Sequence, residues 1–136
     1  MSTTATALIG LVMWSVVLTF FLLFVRVSAV MRGEKALNGF QADGQDMPGI
    51  GLRATRALGN SLENLGAAAA LMLLAVATGH TAITDGLAMW LLGCRVAQST
   101  IHIASTASPM VMARATFFSV QIVIWIYWGV KLCCAQ

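Results

Sequence analysis

RATRALGNSLENLGAAAALMLLAVAT, residues 53–78, joins two kinds of sequence that seldom share one helix. From Leu65 to Thr78 the chain is apolar and uncharged, as a segment meant for hydrocarbon should be. Before it, Arg56, Asn60, Glu63, Asn64 and Ala67 recur at i, i+4, i+7, i+8 and i+11, which is one helical face. The spacing predicts a membrane helix from about Leu52 to Thr78 that carries a polar stripe into the lipid. An ionisable group there costs at least ~2.5 kcal/mol, so each needs a partner or a purpose.

The rest of the chain fits that setting. It is 59% hydrophobic and 10% charged, whereas a soluble domain needs about 25% charged residues to cover its surface. This balance excludes a soluble enzyme, a nucleic-acid-binding module and a disordered chain. At roughly 20 residues per span, the 136 residues hold four helices and no separate soluble domain, so residues 1–136 read as one membrane domain. The first helix, about 5–31, has no charge before Arg26, the reverse of a secretory signal peptide, and is expected to remain in the mature protein. A polar, glycine-rich loop follows at about 32–51. A third helix is expected at about 82–106, ended by Ser108-Pro109, and a fourth at about 112–133. Trp125, Tyr127 and Trp128 would form an interfacial aromatic belt near its end. The pattern is an all-α, up-down, four-helix integral membrane bundle.

Basic residues set the expected orientation. Arg26, Arg32, Lys35, Arg53, Arg56 and Arg114 lie on one side and Lys131 alone on the other. The first and third loops are therefore expected in the cytoplasm and both termini outside it. Short loops and the lack of an organelle signal lean toward a bacterial inner membrane, with the termini periplasmic.

Two further helices carry polar faces. Arg95, Gln98 and His102 fall at i, i+3 and i+7 of the third, and Arg114 and Gln121 align on the fourth. Three helices thus aim guanidinium, amide and imidazole groups, with the single carboxylate of Glu63, at one region in the cytoplasmic half. Arginine forks match carboxylates, and Glu63 can take an ammonium group. Interhelical ion pairs and amide bridges are the competing reading, as glue within the bundle. A surplus of cations at depth favours an anionic ligand instead. Cys94, Cys133 and Cys134 form neither a disulfide framework nor a metal site. Asp85 suits the amino-terminal end of the third helix.

Arg53-Ala-Thr-Arg56-Ala-Leu-Gly-Asn60-Ser-Leu-Glu63-Asn64-Leu resembles the second-helix signature of the MAPEG family, membrane-associated proteins in eicosanoid and glutathione metabolism. Arg95-Val-Ala-Gln98 with His102 is similar to the family's third-helix pattern, and Arg114-Ala-Thr-Phe-Phe to the start of its fourth helix. The resemblance implies a homotrimer with glutathione as co-substrate in each inter-subunit cleft, on the cytoplasmic side. It implies that Arg56, Asn60 and Glu63 hold glutathione, with Arg53 and Arg32 assisting and with Arg95, Gln98 and His102 on the same polar face. Arg114 would be catalytic, stabilising the thiolate across the cleft from a neighbouring subunit. The implied activity is that of a glutathione transferase or glutathione-dependent peroxidase acting on lipophilic electrophiles or lipid hydroperoxides, substrates that arrive from the surrounding membrane lipids. Leu58, Gln98 and His102 depart from the family pattern, and they support the alternative of a non-catalytic lipid-binding or partner-binding subunit. A small multidrug transporter would need a deep carboxylate on its first helix, and this chain has none there.

Overall fold

A computed structural model describes residues 1–135 as four α-helices: α1 Thr3–Met31, α2 Ile50–Ala77, α3 Thr81–Ala104 and α4 Ser108–Cys134. α1, α2 and α4 are each long and apolar enough to cross a membrane. α3, which carries Asp85 and Arg95, falls outside that set and packs against all three of the others. The up-down order places α1 parallel to α3. α1 and α4 flank the α2–α3 pair and make no backbone approach to each other among the described residues.

Trp128 closes the bundle. Its side chain is fully buried with Ala7, Leu11, Met72, Ala75, Ala88, Leu91 and Leu132. Alanines from α1, α2 and α3 leave the hole that an indole fills. Lipid tails are as apolar as leucine, so close packing, rather than escape from water, rewards this fit. Trp128 is therefore a core residue and not part of an interfacial belt, while Tyr127 on the next position is exposed. α4 begins a turn earlier than its apolar pattern suggests. Pro109 lies in its first turn, where a missing N–H costs nothing and φ is already helical.

Where α1 and α3 start together, Asp85 Oδ1 accepts from both the backbone N–H and the hydroxyl of Thr4, each at 2.7 Å. A carboxylate on α3 thus serves the unbonded amides at the start of α1. Thr4 and Thr84 are fully buried beside it, their hydroxyl oxygens 2.7 Å apart.

At the opposite end the loop between α1 and α2 is folded back on α1. Lys35 Nζ lies 2.7 Å from Asp46 Oδ2 and donates to the Asp46 carbonyl at 3.0 Å. Arg26 lies over the Phe40 ring and donates to the Gln41 carbonyl at 3.2 Å. Gly44 makes the tightest turn, at φ +72°, where an added Cβ would also meet the Thr55 hydroxyl at 2.7 Å. Hydrogen bonding from Lys35, followed by that from the Gln41 N–H, holds the Asp46 carboxyl below the usual carboxylate range. Because the folded value is depressed, its contribution is present above the ordinary carboxylate pKa near ~4 and is lost as pH falls through the lower folded value. The protection factor of the Gln41 amide, its rate relative to an unstructured chain at the same pH, is expected to fall on acidification through that range while the helices stay protected. An unchanged protection factor would contradict it.

Candidate functional site

Three helices bring polar side chains to one groove at the end of the bundle that holds this loop. The groove has a volume of about 210 Å3 and is lined by Asn60 of α2, Gln98 and His102 of α3, and Val111, Arg114, Ala115 and Phe118 of α4. Each polar position follows from helical spacing: Gln98 and His102 are one turn apart, and Arg114 and Phe118 are one turn apart. Arg114 is half-buried and makes no ion pair among the described residues. It is the one permanently charged side chain in the lining. The neighbouring hydroxyl of Thr116 is turned back to the Met112 carbonyl at 3.0 Å and does not serve the groove.

Behind the groove lies a buried network. Arg95 is 3% exposed, and its Nη1 donates to Asn60 Oδ1 at 3.0 Å and to Gln98 Oε1 at 3.2 Å. Gln98 Nε2 donates to Asn60 Oδ1 at 3.2 Å. Gln121, fully buried on α4, donates to Gln98 Oε1 and to the Phe117 carbonyl, both at 2.9 Å. A cavity of about 10 Å3 adjoins Arg95 and Gln121 between all four helices, lined also by Ser15, Ser61 and Asn64. Gln121 Oε1 is buried without a partner. That volume is near the minimum for one water molecule.

The structure does not bring all the sequence-predicted residues together. Asn60, Gln98, His102 and Arg114 share the groove within one chain, so Arg114 meets the polar faces of its own subunit. Arg95 is not in the lining and lies behind it. Arg53 Nε donates to the Ile103 carbonyl at 2.7 Å, tying the start of α2 to the end of α3. Arg32 pairs with Glu34 at 2.6 Å in the loop, beside a separate cavity of about 310 Å3. Arg56 and Glu63 are exposed on α2, with no ion pair to each other or to Arg95 among the described residues; Arg56 lies outside the lining but within electrostatic range of His102. Glu63 sits midway along its helix. At 1.5 Å per residue that is roughly 20 Å from the helix start.

Gln121 is the member of this cluster that sequence reasoning aligned with Arg114 but left out of the site. The signal was available: one amide inside the apolar run Val120 to Trp128 has little reason to be there unless it is bonded.

One comparison decides the affiliation. The model of the MAPEG family matches residues 4–134, nearly the whole chain. The chain belongs to the MAPEG family. Neither a search of curated proteins nor one of solved structures gives a match. Within this MAPEG chain, the three helices of the groove and the Asn60–Arg95–Gln98–Gln121 network all fall inside the matched region. MAPEG membership fixes a membrane protein of a family generally associated with glutathione.

Proposed function

We propose that the protein is a membrane-bound glutathione transferase, or a glutathione-dependent peroxidase, that acts on lipophilic electrophiles or lipid hydroperoxides. The observation that carries this reading is the groove itself: Arg114 without an acidic partner, beside Asn60, Gln98 and His102, in a MAPEG chain. A cation held in such a place favours an anion within reach. The glutathione thiol has a pKa of about 8.5 in water and is mostly protonated at neutral pH, whereas the thiolate is the nucleophile. Arg114 is positioned to favour that thiolate. Its sulfur would bond to an electrophilic carbon whose leaving group departs with the electron pair. In the peroxidase case, two thiols would become a disulfide as a hydroperoxide becomes an alcohol and water. The lipophilic substrate arrives from the membrane, and holding it beside the thiolate replaces a bimolecular encounter with a positioned one.

Glu63 and Arg56 support assembly as a homotrimer. An exposed carboxylate midway along a spanning helix is costly against lipid, and a neighbouring copy or a ligand ammonium group would relieve that cost. In this reading Arg56, Asn60 and Glu63 hold glutathione at the subunit boundary, assisted by Arg53 and Arg32. The bundle then crosses a bacterial inner membrane four times, with both termini periplasmic and the site facing the cytoplasm.

The test is a detergent-solubilised preparation given glutathione and a lipophilic electrophile. Thiolate absorbance near the ultraviolet edge, conjugate formation and a trimeric mass are the expected results. A preparation that neither binds glutathione nor shows thiolate absorbance would overturn the enzyme. Gln98 favours a second reading, a non-catalytic lipid-binding or partner-binding subunit, because its amide is engaged by Asn60, Arg95 and Gln121. Lipid crosslinking without turnover would mark that case.

A further inference from the structure

Arg95 poses a question that the ligand site does not answer. Its guanidinium is buried, has no carboxylate partner among the described residues, and does not line the groove. Its bonds go to two side-chain amides of the site. An amide can present either its oxygen or its NH2 group to a neighbour, but a guanidinium has donors only. Arg95 Nη1 lies 3.0 Å from one end of the Asn60 amide and 3.2 Å from one end of the Gln98 amide. Both of those ends must therefore be oxygen. Gln121 Nε2 at 2.9 Å from the same Gln98 oxygen agrees with that choice. It follows that the Asn60 NH2 group turns away from the network, on the side where Asn60 lines the groove.

We propose that Arg95 is a positioning residue, which acts with the Gln98 amide to hold the Asn60 oxygen inward, so that Asn60 offers the groove a hydrogen-bond donor and selects a ligand carboxylate or carbonyl oxygen. The charge also polarises both amides and strengthens the donors they present. This deepens the glutathione reading and rests on it for the identity of the ligand. It separates the arginines of α3 and α4 by role: Arg114 meets the ligand, and Arg95 acts through Asn60. The buried position gives the device its force. Away from water, no solvent molecule competes for the amide oxygens, and an amide turned the wrong way would set NH2 against guanidinium.

Three variants of the full chain test this by glutathione calorimetry, thermal unfolding and side-chain amide NMR of 15N-labelled protein. Arg95→Met is expected to weaken glutathione binding roughly tenfold, the loss of about one well-made hydrogen bond. Its melting temperature should not fall, because an unpaired buried cation is removed. Its Asn60 amide resonances should shift, because Gln98 Nε2 alone then holds the Asn60 oxygen. Arg95→Lys keeps a donor-only cation and is expected to restore the wild-type amide resonances and most of the affinity. Asn60→Asp keeps the oxygen facing Arg95 and turns the groove-side atom into an acceptor, so it should melt no lower than the wild type yet bind glutathione more than tenfold more weakly. Unchanged Asn60 resonances in Arg95→Met would overturn the proposal, as would wild-type affinity in Asn60→Asp. Failure of the wild type to bind glutathione would instead overturn the functional reading, and the amide spectra would still decide the role of Arg95.

Discussion

Replacing Arg114 with alanine is expected to slow glutathione conjugation about 10- to 30-fold at neutral pH, while glutathione binding weakens far less. The size follows from the thiol. A nearby opposite charge typically moves a pKa by 1–3 units, and water returns it to about 8.5. Without the guanidinium, the thiolate fraction at pH 7 falls to about 3%, a loss of about 8-fold for a one-unit shift and of at most about 30-fold for a larger one. The sign with pH is fixed by the same step. The variant's rate should climb about tenfold per pH unit until it flattens near ~8.5, whereas the wild type is already flat. Arg114→Lys keeps the charge but loses the fork, and an intermediate rate is expected. Stopped-flow conjugation with a saturating lipophilic electrophile, run across pH, separates rate from affinity. Equal rates and pH profiles in wild type and Arg114→Ala would remove Arg114 from the chemistry. No other lining residue carries a permanent charge, and Thr116 has already committed its hydroxyl to the backbone.

The four helices were legible because membrane helices declare themselves by local composition. α2 needs only its own residues to read as an apolar helix with a polar face. α3 was harder on hydropathy alone, since Asp85 and Arg95 interrupt it, and its reading rested on the span between the 79–81 connection and the break at Ser108-Pro109. Pro109 misled by a few residues for a physical reason. A proline both stops a helix before it and suits the first turn of the next, so one residue supports two boundaries. Trp128 misled more. An aromatic near a helix end is ambiguous between headgroup and core, and what decides it is Ala7, Ala75 and Ala88 on three other helices. No local pattern reports that those alanines converge.

The site divides in the same way. Residue types and spacing pointed to the helices that supply Asn60, Gln98, His102 and Arg114. Spacing does not distinguish a guanidinium that faces a groove from one that lies behind it, and Arg95 and Arg114 differ only in what packs around them. Arg32 shows the opposite case. Its partner Glu34 is two residues away, and the 2.6 Å pair occupies it within the loop. Glu63 reads as an obvious counter-ion for the arginines, yet it is exposed on the outer side of α2 and pairs with none of them. The helical face that carries Glu63 is legible in the sequence, but whether a neighbouring helix covers that face is set by packing that no local pattern reports.

Asp85→Ala is expected to be the most destabilising change in the part of the bundle remote from the groove, at about 2–4 kcal/mol. The carboxylate accepts a backbone N–H and a hydroxyl from Thr4, each at 2.7 Å. Thr4 is fully buried, so removal leaves its N–H without a partner, at about 1–3 kcal/mol, and costs its hydroxyl a charge-assisted bond as it turns to Thr84, about 1 kcal/mol more. Asp85→Asn retains an acceptor at the same place and is expected to lose only the charge-assisted part, about 1 kcal/mol. The damage has a direction. α1 is joined to α3 here by side chains that no lipid can replace, so α1 should detach from its amino-terminal end while α2, α3 and α4 keep their contacts. Amide exchange should rise first in the opening turn of α1, at Thr4 to Ala7, and glutathione affinity should stay near wild type because the groove lies at the other end. If Asp85→Ala unfolds at the wild-type temperature, water or headgroups already satisfy Thr4, and the carboxylate is not what fastens α1. If it abolishes glutathione binding while α1 stays protected, the two ends of the bundle are coupled through something other than this contact.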